Sequence, residues 1–446
     1  MKKFFSPLLL LMAMTFAFTA CEGDDLVFPD VHVALPGVNE DGAVVGVQED
    51  TLTFQASVNN AENCIYSWSV DGDEVFEGPV FKFVPAEARQ YVIGLKTTNE
   101  YGVYTTNEFT VSVTGKFLNG TFVLNEGNFS TDNGKLVFIS DKGQVTDSAY
   151  FKANGSHLGH SSQDLFIADG KIYIISQDNN LSGDGVLVVA DAATLKKEAA
   201  YTQELAELSN PTHIVVKGNE AYIRDGRGVN LFNLDTKEVK LISGTETAGS
   251  YSNKNRMALV DGKVYVMADD HLLVLEDGAI VKSISMDGKI SGVVAGKGDI
   301  VWVSLDKQPA AIVKIDGKDG HVIATNELEN VGLSAGWGAT PAISAKGDSI
   351  YFSNNTTTIY RHIFGQNVTE KMTDVQSHIA DAAMVYNNLA VHPETGDVYF
   401  TSIKGYGLNY LINDISVYNF DKGEAPIADY KNFTAFPAGV FFTANY

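Results

Sequence analysis

Ten polar or aromatic side chains stand in glycine- and serine-rich stretches between apolar runs: His157, His160, His213, Asp225, Arg227, Tyr251, Asn253, Trp337, His378 and Tyr406. Aromatic rings and amides of this kind suit a flat or sugar-bearing ligand, held by stacking plus hydrogen bonds. Trp337 is the most pointed of them. It lies in AGWGATP, where a large side chain has few structural reasons to be. Catalytic patterns are weaker. Glu126, Asp178, Asp225, Asp269, Asp270 and Asp306 supply carboxylates, but in no arrangement that marks an acid–base pair. Gly332-Leu333-Ser334-Ala335-Gly336 matches GxSxG. A nucleophile elbow needs a strand before it and a helix after it; here a polar stretch precedes and a strand-like run follows. Asp178, Asn180 and Ser182 begin like a calcium loop, but Val189 occupies the twelfth position where glutamate belongs. The nine histidines are scattered, and His157 and His160 form only a weak pair. No P-loop or dinucleotide fingerprint occurs. The expectation is a binding site without catalysis, with no cofactor and no metal.

The elements that must carry these residues are legible from a recurring aromatic. Phe122, Tyr173, Tyr222, Tyr265, Trp302, Tyr351 and Tyr399 each sit inside a short apolar run, at steps of 51, 49, 43, 37, 49 and 48 residues. A period of that size with several short strands per unit predicts a β-propeller. The clearest copy starts at Pro211 and divides into strands Thr212–Val216, Ala221–Arg224, Val229–Leu234 and Val239–Ile242. First strands recur near Gln163, Thr212, Arg256, Ser291, Pro341, Leu389 and Pro437, whereas none precedes Thr121. The last strand, PAGVFFT, therefore completes the opening blade. The prediction is seven blades closed by the C-terminal strand, with no free sheet edge between first and last blades. Apolar neighbours on both sides of each aromatic assign those rings to packing. First-to-second and third-to-fourth turns are tight, whereas second-to-third and inter-blade loops are long. The long-loop face is thus the expected site.

Residues 28–115 read differently. TLTFQASV, CIYSWSV, VFKFVP, QYVIGLKTTN and EFTVSVT are short strands separated by turn signals, as in a small antiparallel sandwich. Cys64, in the second of these, is expected to be a buried small hydrophobe. The whole chain is expected to be all-β: a sandwich over 28–115, then a propeller over 120–446.

Met1-Lys2-Lys3, the apolar run Leu8–Phe18, and Phe18-Thr19-Ala20-Cys21 form a secretory leader, assigned to residues 1–20. Residues 21–27 then read as an acidic tether. Removal of Lys2 and Lys3 takes the formal charge from −23 to −25, which argues against nucleic acid as a partner. With only Cys64 left besides Cys21, no intrachain disulfide can form in the mature chain.

Several of these segments resemble known families. Phe18–Cys21 is similar to the bacterial lipobox, with Phe18 where leucine is usual; it implies acylation of Cys21 and attachment to the membrane through lipid. Glu22-Gly23-Asp24-Asp25 resembles the surface-export signal of Bacteroidetes lipoproteins, which implies an outer-membrane, surface-exposed protein. Trp68 within YSWSVDGDEV resembles the PKD-like, immunoglobulin-type module. Gly120–Phe129, with its NEGNF segment, Lys152–Gly155 and DGKIYIIS resemble the YncE-like or surface-layer-like propellers of Bacteroidetes. That family includes surface lipoproteins that capture cobalamin above a TonB-dependent transporter. The resemblance implies capture of a small nutrient, such as a corrinoid, and transfers no contact residues. The competing expectations are a carbohydrate-active enzyme and an adhesion or scaffold protein.

Overall fold

The computed structural model describes residues 26–445 except 40–41, 128–130, 337–339, 388, 406–408, 410, 412 and 435. The leader, Cys21, Trp337 and Tyr406 lie outside the described residues. The chain divides into two compact units at Thr114/Gly115.

In the first unit two sheets enclose one apolar core. The smaller has the order Val31–Ala34, Leu52–Val58, Val80–Phe83; the larger runs Val44–Val47, Tyr104–Thr114, Gln90–Thr98, Ile65–Val70, Asp73–Glu77. Leu52–Val58 alternates buried and exposed residues, the period-two pattern of a half-buried strand. Trp68, Phe54 and Phe81 fill the centre, and the Trp68 indole N–H donates to the Gly78 carbonyl at 2.9 Å. Two features depart from the sequence reading. Val44–Val47 pairs parallel with Tyr104–Thr114, so the sheet is mixed. Cys64 is only half-buried, because it precedes its strand rather than lying within it.

The second unit is seven four-stranded antiparallel sheets. Blade 3 shows the plan, with strands His213–Lys217, Glu220–Asp225, Gly228–Asn233 and Val239–Leu241. Blade 1 is closed by both ends of the unit. Pro437–Phe442 pairs with Gly120–Asn125, setting Phe441 against Phe122, and the Gly120 amide donates to Thr443 Oγ1 at 2.9 Å.

Each seam between neighbouring blades holds its own apolar cluster, including the closing seam of Val123, Val137, Ile415 and Val440. The recurring aromatics explain the seams. Each of the seven packs into the seam shared with the following blade: Phe122 against blade 2, Tyr222 against blade 4, Trp302 against blade 6, Tyr399 against blade 1. Two of the hydroxyls reach the next blade's outer turn: Tyr265 donates to the Gly317 carbonyl at 2.8 Å, and Tyr222 accepts from the Gly278 amide at 3.1 Å.

The two faces differ as the sequence predicts. On one, connections run two to seven residues; on the other, an inter-blade loop such as 242–257 reaches sixteen. The exceptions cluster on one side of the ring. Second-to-third turns are two residues long in blades 3 and 4, and the blade 4–5 link is three.

Candidate functional site

Along the axis the interior changes character. The innermost strands begin with buried polar residues: His160 to Asp164, Thr212 and His213, Asn255, Ser291, Thr340 and Asn387. Burying polar groups is unfavourable unless they are hydrogen-bonded, and three of these side chains bond across blades. Asn255 Nδ2 donates to the carbonyls of Ser291 (3.4 Å) and Thr340 (3.2 Å), tying blade 4 to blade 5 and to the start of blade 6. Asn387 accepts from the Thr340 amide at 3.0 Å and donates to the Pro437 carbonyl at 3.0 Å, tying the start of blade 7 to blades 6 and 1. Asp164 accepts from the Ile214 amide at 3.1 Å, reaching from blade 2 to blade 3.

The Arg256 side chain reaches across the axis. Arg256 Nε pairs with Asp164 Oδ1 at 3.1 Å, its Nη2 donates to the Ala438 carbonyl at 3.4 Å, and its guanidinium lies 4.1 Å over the Phe441 ring. It therefore joins blades 4, 2 and 1 and floors the axis. Gly439 makes room for it, since a Cβ there would collide with the guanidinium. Burial raises the Asp164 pKa to about 6, against the pull of Arg256 and two backbone amides.

At the same level three ionisable groups converge from different blades. Glu126 follows the second strand of blade 1, and its backbone N–H donates to the Phe436 carbonyl at 2.8 Å. Gly127 lets the chain turn at once: its φ is +82°, and a side chain would strike the Asp132 and Asn133 carbonyls. Tyr386, ahead of blade 7, donates to Glu126 Oε1 at 2.7 Å. Lys254, ahead of blade 4, acts on Glu126 electrostatically and favours its charged form, while the Gln163 amide lies buried nearby with no hydrogen-bond partner among the described residues. Burial raises the Glu126 pKa against the pull of Lys254 and Tyr386, and lowers that of Lys254. Burial, then Glu126, holds the Tyr386 hydroxyl far above the ordinary phenol range. A cavity of about 160 Å³ opens beside Lys254, lined also by Tyr251, Ser291, Asp306 and Ser334. A cleft of about 500 Å³ opens beside Tyr386, lined by Asn355, Thr357, Gln376 and Met384.

The sequence-predicted residues divide sharply. Tyr251 is 80% exposed and stands over the first cavity. Asn253 is buried and builds the loop beneath it, donating to the Thr247 carbonyl and Asp269 and accepting the Asp269 amide. Asp225 is fully buried and organises its own turn, taking the amides of Ser209, Arg227 and Gly228, with Arg227 Nε at 3.2 Å. His213 is buried with Nδ1 2.9 Å from Thr212 Oγ1. His160 is buried against Asp178, at 3.1 Å. Asp178 also takes the Asn180 amide, so the carboxylate of the partial calcium loop is already engaged; Ser182 turns that loop with φ +56°. His157 is exposed and stacks on Phe151, and His378 is exposed beside Thr373. These four histidines do not converge. Ser334 lies in a loop between strands, not at a strand–helix elbow.

Sequence reasoning placed Glu126 among the carboxylates of this face and missed Lys254, Tyr386, Gln163, Asp164 and Arg256. Arg224 was also missed. It donates to Thr212 Oγ1 at 2.9 Å and to the carbonyls of Ala248 (3.0 Å) and Ser250, holding the loop that carries Tyr251 and Lys254. The available signal was positional: polar residues clustered where first strands begin.

A family model described as "Domain of unknown function (DUF5074)" matches residues 119–443. No curated protein matches the chain. Among solved structures, a quinonprotein alcohol dehydrogenase-like protein from Bacteroides thetaiotaomicron shares 19% identity over 92% of this chain and 99% of its own, with a TM-score of 0.53. Apo AztD from Citrobacter koseri shares 11% over 69% and 94%, at 0.36. BamB from Moraxella catarrhalis shares 12% over 72% and 85%, at 0.41. The first of these shares the fold.

Proposed function

Because this chain belongs to the DUF5074 family, whose description names no activity, we propose its function from its own site: non-catalytic binding of a small polar ligand in the axial funnel of the long-loop face. One observation carries the reading. Glu126, Lys254 and Tyr386 arrive from three different blades at one point, above a floor made by Arg256 and Asp164. Perturbed ionisable groups gathered in a concavity are a general mark of binding sites. The leader, Cys21 and the acidic residues after it support a lipid-anchored protein on the outer-membrane surface. The resemblance to nutrient-capture propellers supports delivery to a TonB-dependent transporter, with a corrinoid as the first ligand to try.

A second reading has one observation in its favour. A carboxyl with a raised pKa in contact with a tyrosine is chemically competent as a general acid. Glycoside hydrolysis needs a second carboxylate within reach of the same bond. Asp164, the other axial acid, is engaged by Arg256 and the Ile214 amide. Binding therefore stands ahead of hydrolysis.

Calorimetry against corrinoids, haem and oligosaccharides tests the reading. Glu126→Gln and Tyr386→Phe should each weaken binding about tenfold, the scale of one charge-assisted hydrogen bond. Turnover of an oligosaccharide lost in Glu126→Gln would favour the enzyme instead. For the anchor, Cys21→Ala should move the protein out of the membrane fraction; its retention after a salt wash would refute lipid attachment.

A further inference from the structure

The first cavity has a charge balance opposite to that of the chain. The sequence carries a formal charge of −23, yet Lys254 and Lys289 both line this cavity and Asp306 is its one acidic lining residue. Lys289 and Asp306 are cross-strand partners in blade 5, but no ion pair joins them among the described residues. Among the described residues the Lys254 ammonium makes no hydrogen bond or salt bridge; its one attractive neighbour is Glu126, which acts through space. Lys289 likewise has no salt bridge among the described residues and is exposed to the cavity. A half-buried ammonium without an acceptor is unfavourable, and the fold holds it there deliberately. Arg224 fixes the carbonyls of Ala248 and Ser250 just upstream, and Asn253 fixes the turn before it. Ser252 and Ser334 also line this cavity.

We propose that this cavity is an oxyanion subsite, in which Lys254 and Lys289 receive the carboxylate or phosphate end of the ligand under Tyr251. The inference rests on the binding reading above and specifies its ligand class: a small molecule with an anionic end toward blades 4 and 5. The neutral remainder extends toward Tyr386 and the second cleft, whose lining of Asn355, Thr356, Thr357 and Gln376 offers amides and hydroxyls. The acidic surface and the cationic cavity then act in sequence. The surface repels polyanions, and a small anion that reaches the funnel meets the local positive field.

Pyridoxal 5′-phosphate is a suitable probe on the intact mature protein. Its aldehyde condenses with a neutral amine, water leaves, and borohydride reduces the imine to a stable secondary amine. Burial lowers the Lys254 pKa and so favours the reactive neutral form, and Lys289 would hold the phosphate. Peptide mapping should find Lys254 labelled about tenfold over exposed lysines such as Lys318, as one charge-assisted contact to the phosphate implies. Lys289→Gln should remove most of that preference, Lys289→Arg should keep it, and unchanged melting of both would show an intact fold. Inorganic phosphate and succinate serve as competitors: protection by phosphate alone assigns a phosphate-bearing ligand, and protection by succinate a carboxylate-bearing one. Labelling spread evenly over the surface lysines, or unaffected by either competitor, overturns the subsite. A neutral molecule retained by the parent and lost in Glu126→Gln would also overturn it, while leaving the binding reading standing.

Discussion

The seams between blades and the axis they surround are built from opposite materials. Every seam is an apolar cluster anchored by one recurring aromatic, whereas the axis collects Asp164, Arg256, Asn255, Asn387 and Glu126. Seam packing is non-directional and scales with buried apolar area. Axial contacts are directional, and each fails when one partner is removed. The difference teaches where stability and function separate. Seams hold the ring whichever polar residues line its centre, so the centre is free to carry a charge such as Lys254 that packing alone would reject.

The harshest way to break this division is at the closing seam. Deleting residues 437–446 removes a strand from blade 1, the Phe442 packing and the Arg256 floor together. The propeller should unfold cooperatively; an unchanged thermal midpoint would show that ring closure does not depend on the clasp. Next in size is a single seam. Trp302→Ala empties the blade 5–6 cluster and should destabilise by about 3–5 kcal/mol, read from urea midpoints, with ligand affinity unchanged in the folded fraction. At the axis, Asn387→Ala breaks two inter-blade bonds and should lose about 1–3 kcal/mol, less than the seam.

A further axial effect, of similar size, is pH-dependent. The folded Asp164 pKa of about 6 lies above the unfolded value of about 3.9. Between the two the folded state binds the extra proton. The contribution of this group is thus complete below pH ~4 and lost as pH rises through about 6. Asp164→Asn should therefore gain on the parent by roughly 2 kcal/mol between those limits. A gap that stays constant across the range would contradict this.

The same contrast explains what the sequence could tell. Seams repeat, so Phe122 through Tyr399 announced seven blades, and the missing first strand before Thr121 announced the clasp. The axis does not repeat. Asn255 ties blades 5 and 6, while Asn387 ties blades 6 and 1, and no period relates them. Lys254 and Tyr386 lie in loops of different length, so only folding brings them to Glu126. Side chains such as Asp225 and Asn253 have the composition of a binding site and spend it on their own turns. Tyr251 was legible because it is large, polar and on a loop, and it remains exposed at the cavity.

The central claim is that the axial funnel, and not the seams, holds a small molecule. The most direct measurement is to purify the protein under native conditions and read its retained small molecules by mass spectrometry, beside the Glu126→Gln/Tyr386→Phe variant. The account predicts one retained species in the parent, at near-stoichiometric amount, lost at least about tenfold in a variant of equal melting temperature. Equal retention by both proteins, or no retained molecule in either, would contradict it.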